Sequence, residues 1–181
     1  MIKTEAIFKI KTEQEFSSLA LEMFKFQFEN NKVYRSFCDL LYKHPSDVKT
    51  IEEIPFLPIQ FFKTHKVLSS KSSIKKTFES SGTTGSVTSK HHVSNLNIYE
   101  QSFRKGFQYH YVYIEDYVVL ALLPSYLERD NSSLIYMVND IIIQSNQLES
   151  GFYLNNFEDL KRQLLELENK GKKVILIGVS F

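Results

Sequence analysis

Two short apolar runs flank two amphipathic segments of helix length in the second half of this 181-residue chain. No other feature constrains the fold as strongly. Tyr117-Val118-Val119-Leu120-Ala121-Leu122-Leu123 runs without a polar interruption until Pro124 stops it. A half-exposed strand alternates polar and apolar side chains, so an unbroken run of this length reads as a strand covered on both faces. Val174 to Val179 reads as a further buried strand. Between the two, Ser132-Ser133 caps a helix over Leu134 to about Ile143, and Asn155 or Asn156 caps another from Phe157 to Lys170. Leu160, Leu164, Leu165 and Leu167 are the apolar positions of that second helix, and Gly171 supplies the residue past its end. Buried strand, helix, helix, buried strand is the pattern of a parallel sheet. The expected fold class is therefore α/β, a mostly parallel sheet with flanking helices. The chain reaches Phe181 while still inside an apolar run, so the expectation is a single incomplete α/β domain. Its unfinished sheet is expected to support a homodimer through the C-terminal edge.

The first half reads as helical. Thr12-Glu13-Gln14-Glu15 fits a capping box, in which a hydroxyl and a carboxylate three residues apart satisfy free amides at a helix start. Phe16, Leu19, Ala20, Met23 and Phe24 then recur at helical spacing to about Asn30. A second short helix carries Val33, Phe37, Cys38, Leu40 and Leu41 and ends before His44-Pro45. Pro55 and Pro58 forbid a regular helix through Ile54 to Ile59, and Ile59 to Val67 suits either a strand or a short helix. Ser94 or Asn95 caps a helix through Tyr99, Phe103 and Phe107.

Composition narrows the function class by exclusion. The balance of 22 Lys+Arg against 21 Asp+Glu leaves a formal charge of +1, so no global field draws the chain to nucleic acid or to an anionic membrane. The lone Cys38 excludes an intramolecular disulfide and a cysteine-based zinc site. No apolar run approaches the roughly 18 residues that a membrane helix needs. The N-terminus lacks the apolar core of a signal peptide, and a reducing, cytoplasmic location is the expectation. Aromatics are in excess, 15 Phe and 10 Tyr, which implies a bulky core and a possible greasy wall for a ligand.

The segment that carries chemistry is Thr77-Phe78-Glu79-Ser80-Ser81-Gly82-Thr83-Thr84-Gly85-Ser86, which follows an expected strand at Ile74 to Phe78. From Ser69 to Ser89, 12 of 21 residues are Ser or Thr, a composition that a plain linker shares. Two of the chain's six glycines, however, stand here three positions apart, where the missing Cβ lets backbone amides approach a bulky anion. Hydroxyls of Ser80, Ser81, Thr83 and Thr84 add donors. Lys66 to Ser94 holds five Lys and one Glu, locally +4 in a nearly neutral chain, which favours a polyphosphate. A Walker loop is excluded because no Lys-Ser/Thr follows Gly85. The dinucleotide fingerprint is excluded by its different glycine spacing, and the kinase motifs are absent.

Ser80-Ser81-Gly82-Thr83-Thr84-Gly85 resembles, without a gap, the phosphate-binding loop of the adenylate-forming superfamily of acyl-CoA synthetases and ligases. Longer stretches narrow the likeness. Ile54-Pro55-Phe56-Leu57-Pro58-Ile59-Gln60-Phe61-Phe62-Lys63-Thr64-His65, Leu122-Leu123-Pro124-Ser125-Tyr126-Leu127-Glu128-Arg129 and Ser132-Ser133-Leu134 look like the acyl-protein synthetase family, from about residue 10 onward.

That resemblance implies ATP as cosubstrate with Mg²⁺ beside it, and activation of a fatty or other carboxylic acid as its adenylate. The acyl group would then pass to a protein thiol, on an acceptor protein or a reductase subunit. It assigns Ser80 to Gly85 to the ATP phosphates, with Lys90, and His91 or His92, adding a cation. Glu128 and Arg129, after the first buried strand, and Ser180, after the last, would line the substrate side of the same rim; a mutual surface ion pair is the plainer role for Glu128 and Arg129. The implied division is a helical entry over residues 1–68, a phosphate-loop region over 69–92 and an α/β segment over 93–181, with the catalytic C-terminal part beyond. Ser86-Val87-Thr88-Ser89-Lys90 departs from the wider pattern by lacking Pro-Lys-Gly, which counts against a CoA ligase. A non-catalytic α/β module that binds a partner is the alternative reading of the same residues.

Overall fold

The structure is a computed structural model, and it describes residues 4–69, 73–80, 87–124 and 129–179. The chain divides into two compact units, Met1–Ile98 and Tyr99–Phe181.

The first unit opens with a 3-10 turn, Thr4–Lys9, and then α1, Glu13–Asn30. The capping box forms in full. Thr12 Oγ1 accepts from Glu15 N at 3.2 Å, while Glu15 Oε2 accepts from Thr12 N at 3.1 Å and Lys11 N at 2.8 Å. Those backbone donors hold the Glu15 carboxyl below its ordinary range. Asn31 joins α1 to α2, Lys32–Leu40: its own N–H closes α1 on Gln27 O, and its Oδ1 caps α2 by accepting from Tyr34 N. At 4% exposure, Asn31 is buried because both helix ends need it.

Phe24, Phe28, Tyr34, Cys38 and Val48 form this unit's core, with Leu21, Phe37, Ile54 and Leu57 against it. The Phe24 ring meets Phe28 and Tyr34 edge-on at 6.4 and 6.1 Å, and the Tyr34 hydroxyl donates to Pro55 O at 2.7 Å. Two sequence expectations are corrected here. Phe16 is 51% exposed, because α1 buries its later turns around Phe24 and Phe28. Leu40 and Leu41 lie exposed where α2 ends, and Tyr34 takes the buried place instead. Ile59 to Val67 resolves as the short helix α3, Phe61–Thr64. Strands β1, Lys76–Glu79, and β2, Lys90–Val93, then pair antiparallel.

Helix α4 (Leu96–Tyr111), whose first residues close the first unit and whose remainder opens the second, starts as expected, with Asn95 Oδ1 accepting from Asn97 N. Strand β3 is Tyr117–Leu122, α5 is Ser133–Ser145, β4 is Gly151–Phe152, α6 is Phe157–Asn169 and β5 is Lys173–Gly178. The sheet order is β4-β3-β5, and both pairs are parallel. Helix α6 covers one face of β3 through Leu160 and Leu167 on Val118 and Leu120. Helix α5 covers the other through Val138 on Ala121 and Leu123. Val118 to Ala121 are at most 1% exposed, as the unbroken apolar run requires. Ser132 caps α5, Asn156 caps α6, and Gly171 takes φ 63° past the end of α6.

Strand β4 is an addition to the expected pattern. Its two residues have no apolar run, and neighbouring contacts complete its ladder: Ser150 Oγ accepts from Val119 N at 2.9 Å and Tyr153 N donates to Ala121 O at 2.8 Å. Ser145, fully buried, bonds to Ile142 O and to Ser150 Oγ, so its polarity is satisfied. Strand β5 departs from expectation. It is an edge of the described sheet, its side chains are half-buried at best and Leu176 is 52% exposed. Both helices centre on β3, and the β5 side chains that pack against the two buried clusters are Val174 on the α6 side and Ile177 on the α5 side.

Candidate functional site

The β1–β2 hairpin places the Ser/Thr/Gly segment. Its register pairs Lys76 with Val93, Thr77 with His92, Phe78 with His91 and Glu79 with Lys90. Phe78 is 5% exposed and anchors the hairpin, while Thr77 Oγ1 bonds to His92 Nδ1 across the strands at 2.9 Å. Beyond Glu79 and Lys90 the strands part, but the next residues remain tied. Ser80 N donates to Ser89 O at 3.1 Å, and Ser89 N donates to Ser80 Oγ at 3.0 Å. Thr88 Oγ1 donates to Glu79 Oε2 at 3.4 Å, and Lys90 Nζ lies 3.9 Å from Glu79 Oε1.

Ser80 and Lys90 are thus brought together at the root of one chain excursion. Ser81, Gly82, Thr83, Thr84 and Gly85 lie outside the described residues. The Lys90 side chain is 55% exposed, leaving its charge open to solvent and to an anion. The His91 ring meets Phe62 edge-on at 5.8 Å, and burial, with the charge of His92, holds its pKa below the ordinary imidazole range. At working pH the neutral His91 ring is therefore favoured, and Lys90, paired with Glu79, is an exposed cation beside it.

In the second unit, the register of Leu122 with Gly178 sets the C-terminal ends of β3 and β5 side by side. In parallel α/β sheets that end is where ligands bind. Arg129 follows it, exposed, with its carbonyl accepting from Ser132 N at the start of α5. Glu128 and Ser180 lie outside the described residues.

Sequence reasoning passed over Glu79, Thr88 and Ser89, which form the root with Ser80 and Lys90. The only Glu in a five-lysine stretch, directly before the loop, was the available signal. Cys38 is fully buried in the first core, and burial pushes its thiol pKa up, so it is unsuited to accept an acyl group. Among the described residues no group of three or more His, Cys, Asp or Glu is placed to hold a metal ion. Nor is any described helix long and apolar enough to cross a membrane.

Comparison with known proteins is decisive at the family level. The model of the family described as "Acyl-protein synthetase, LuxE" matches residues 7–181, nearly the whole chain. No curated protein and no solved structure matches. On that match the chain belongs to the LuxE acyl-protein synthetase family, whose activity joins an acid to a protein acceptor.

Proposed function

We propose that this chain contributes the nucleotide-phosphate site of an ATP-dependent, adenylate-forming acyl-protein synthetase. The observation that carries the reading is the tied hairpin root, which starts and ends a Ser/Thr/Gly-rich excursion inside a chain of this family. A polyphosphate needs many short donors and a nearby cation. The excursion holds four hydroxyls at Ser80, Ser81, Thr83 and Thr84, two glycines that let the backbone approach, and Lys90 at its base. Mg²⁺ fits as an ion carried in on the phosphates, since it is usually held by substrate oxygens with few protein ligands.

In the proposed reaction a carboxylate oxygen of a fatty or other acid attacks the α-phosphorus of ATP. The bond to the bridging oxygen breaks, pyrophosphate leaves with that electron pair, and an acyl-adenylate forms. A thiolate of the acceptor protein then attacks the acyl carbon, and AMP departs. The residues of the loop serve the first step by holding the leaving phosphates. Donors fixed in advance on developing charge are each worth about 10²-fold to 10³-fold in rate. Arg129, exposed beyond β3, with its neighbour Glu128 and with Ser180 after β5, is proposed to face the acid.

Isothermal titration with MgATP tests the site. Wild-type protein is expected to bind, Gly82→Asp to abolish binding by placing a carboxylate among the phosphates, and Thr83→Ala to weaken it by about tenfold. Equal binding by all three would refute the assignment.

A further inference from the structure

We propose that β5 is the interface of a homodimer, its outer edge pairing antiparallel with β5 of a second copy about a two-fold axis at Leu176. Among the described residues no strand pairs with that edge, because the sheet runs β4-β3-β5. Exposed edges are ordinarily guarded by a charge, a proline or a bulge. Strand β5 has no proline, and it pairs with β3 without a bulge, from Tyr117 with Lys173 through Leu122 with Gly178. Its one charge is turned back toward β3: Lys173 Nζ lies 3.1 Å from Asp116 Oδ2 and 5.4 Å from the centre of the Tyr117 ring.

The faces of the sheet decide what such a pairing brings together. Val174 and Leu176 stand beside Val118 and Leu120, which face α6, whereas Ile177 packs on the α5 side. A two-fold axis normal to the sheet keeps α6 of both copies on one face. With the axis at Leu176, Leu176 meets Leu176, Ile175 meets Ile177, Val174 meets Gly178 and Lys173 meets Val179. Leu176 and Val179, 52% and 42% exposed in one copy, are then covered by the other. The two Lys173 residues stay about 20 Å apart, six residues along the strand.

Charge selects a second copy as the occupant. Helix α6 begins with Glu158 and Asp159 in its first turn, and the turn from α6 into β5 carries Lys170, Lys172 and Lys173. The helix doubles back into β5 over the same sheet, so its acidic start lies toward the Gly178 end of the strand and the lysines lie at the opposite end. Antiparallel pairing sets the lysine end of each copy beside the acidic end of the other. A parallel pairing would set like ends together.

The test measures the full chain by sedimentation velocity at tens of micromolar, as wild type, Leu176→Lys, Glu158→Lys and the Glu158→Lys/Lys172→Glu pair. Wild type should be a dimer. Leu176→Lys sets two ammonium groups opposite each other and should raise the dimer Kd at least about tenfold. Its far-UV circular dichroism should match wild type, which separates loss of pairing from loss of fold. Glu158→Lys should raise the Kd about threefold, and exchanging both charges should restore it. Leu176→Cys should join two copies through a short bismaleimide, with the fully buried Cys38 out of reach. A monomeric wild type overturns the proposal. So does a dimer that tolerates Leu176→Lys, that fails to cross-link at Leu176→Cys, or that the charge exchange does not rescue.

Discussion

The β1–β2 hairpin and the β4-β3-β5 sheet are built on opposite terms. The sheet is fixed by apolar burial: β3 is enclosed by α5 on one face and α6 on the other, and Val119 and Leu120 are fully buried. The hairpin has two four-residue strands with Phe78 as its buried anchor, and polar cross-links tie it at the end where the loop departs. Burial fixes where a strand lies but is indifferent to direction. Hydrogen bonds add little net stability, about 1 kcal/mol each, yet they fix orientation. A loop that must aim donors at a ligand needs the second kind of fastening more than the first.

The largest expected effect lies in the sheet. Leu120→Ala removes a side chain packed against Leu160 and Leu167 and should cost about 3–4 kcal/mol in a denaturant titration. A cost below about 1 kcal/mol would break the contrast. Next comes the polar pairing between α4 and α5, where Arg104 makes a bidentate contact with Asp140 (Nε to Oδ2 at 2.9 Å) and Tyr136 donates to Glu100 at 2.6 Å. Asp140→Asn keeps the shape but loses the charge, and because Arg104 is partly exposed the measured loss should be about 1 kcal/mol.

A smaller effect of opposite sign is expected just past α4. Val112, a β-branched residue, sits at φ 71° and is exposed, a conformation that costs an L-residue about 1–2 kcal/mol. Val112→Gly should therefore raise stability by about 0.5–1 kcal/mol after the entropy of glycine is counted, read as an increase in Tm. The smallest effect belongs to the hairpin. Native His91 binds its proton less readily than the unfolded chain does, so stability should fall as pH drops below 6.5 and level off once the native ring is charged. His91→Gln should flatten that part of the pH profile relative to wild type, and an unchanged profile would remove His91 from the account.

The second unit was the more legible in the sequence. Its apolar run, its Ser and Asn caps and Gly171 each state a local preference that the packing then follows. The two-residue strand β4 was not legible, because it exists through bonds that Ser150 and Tyr153 make to β3 and not through any pattern of its own. The exposure of Leu176 was hidden for a related reason: β5 reads like β3 residue by residue, and only the placement of the two helices over β3 separates them. At the candidate site, the Ser/Thr/Gly composition marked the loop, while the partners that tie it, Glu79, Thr88 and Ser89, carry no mark as single residues.

From the sequence alone came the α/β class, the helix boundaries set by caps, and the loop motif with its local positive charge, because each rests on residues adjacent along the chain. The tertiary structure alone decided which apolar strand is enclosed and which lies at an edge. It also decided that Ser80 meets Ser89, and Glu79 meets Lys90, across a hairpin. Those outcomes depend on partners brought together from distant positions, and no local propensity encodes them.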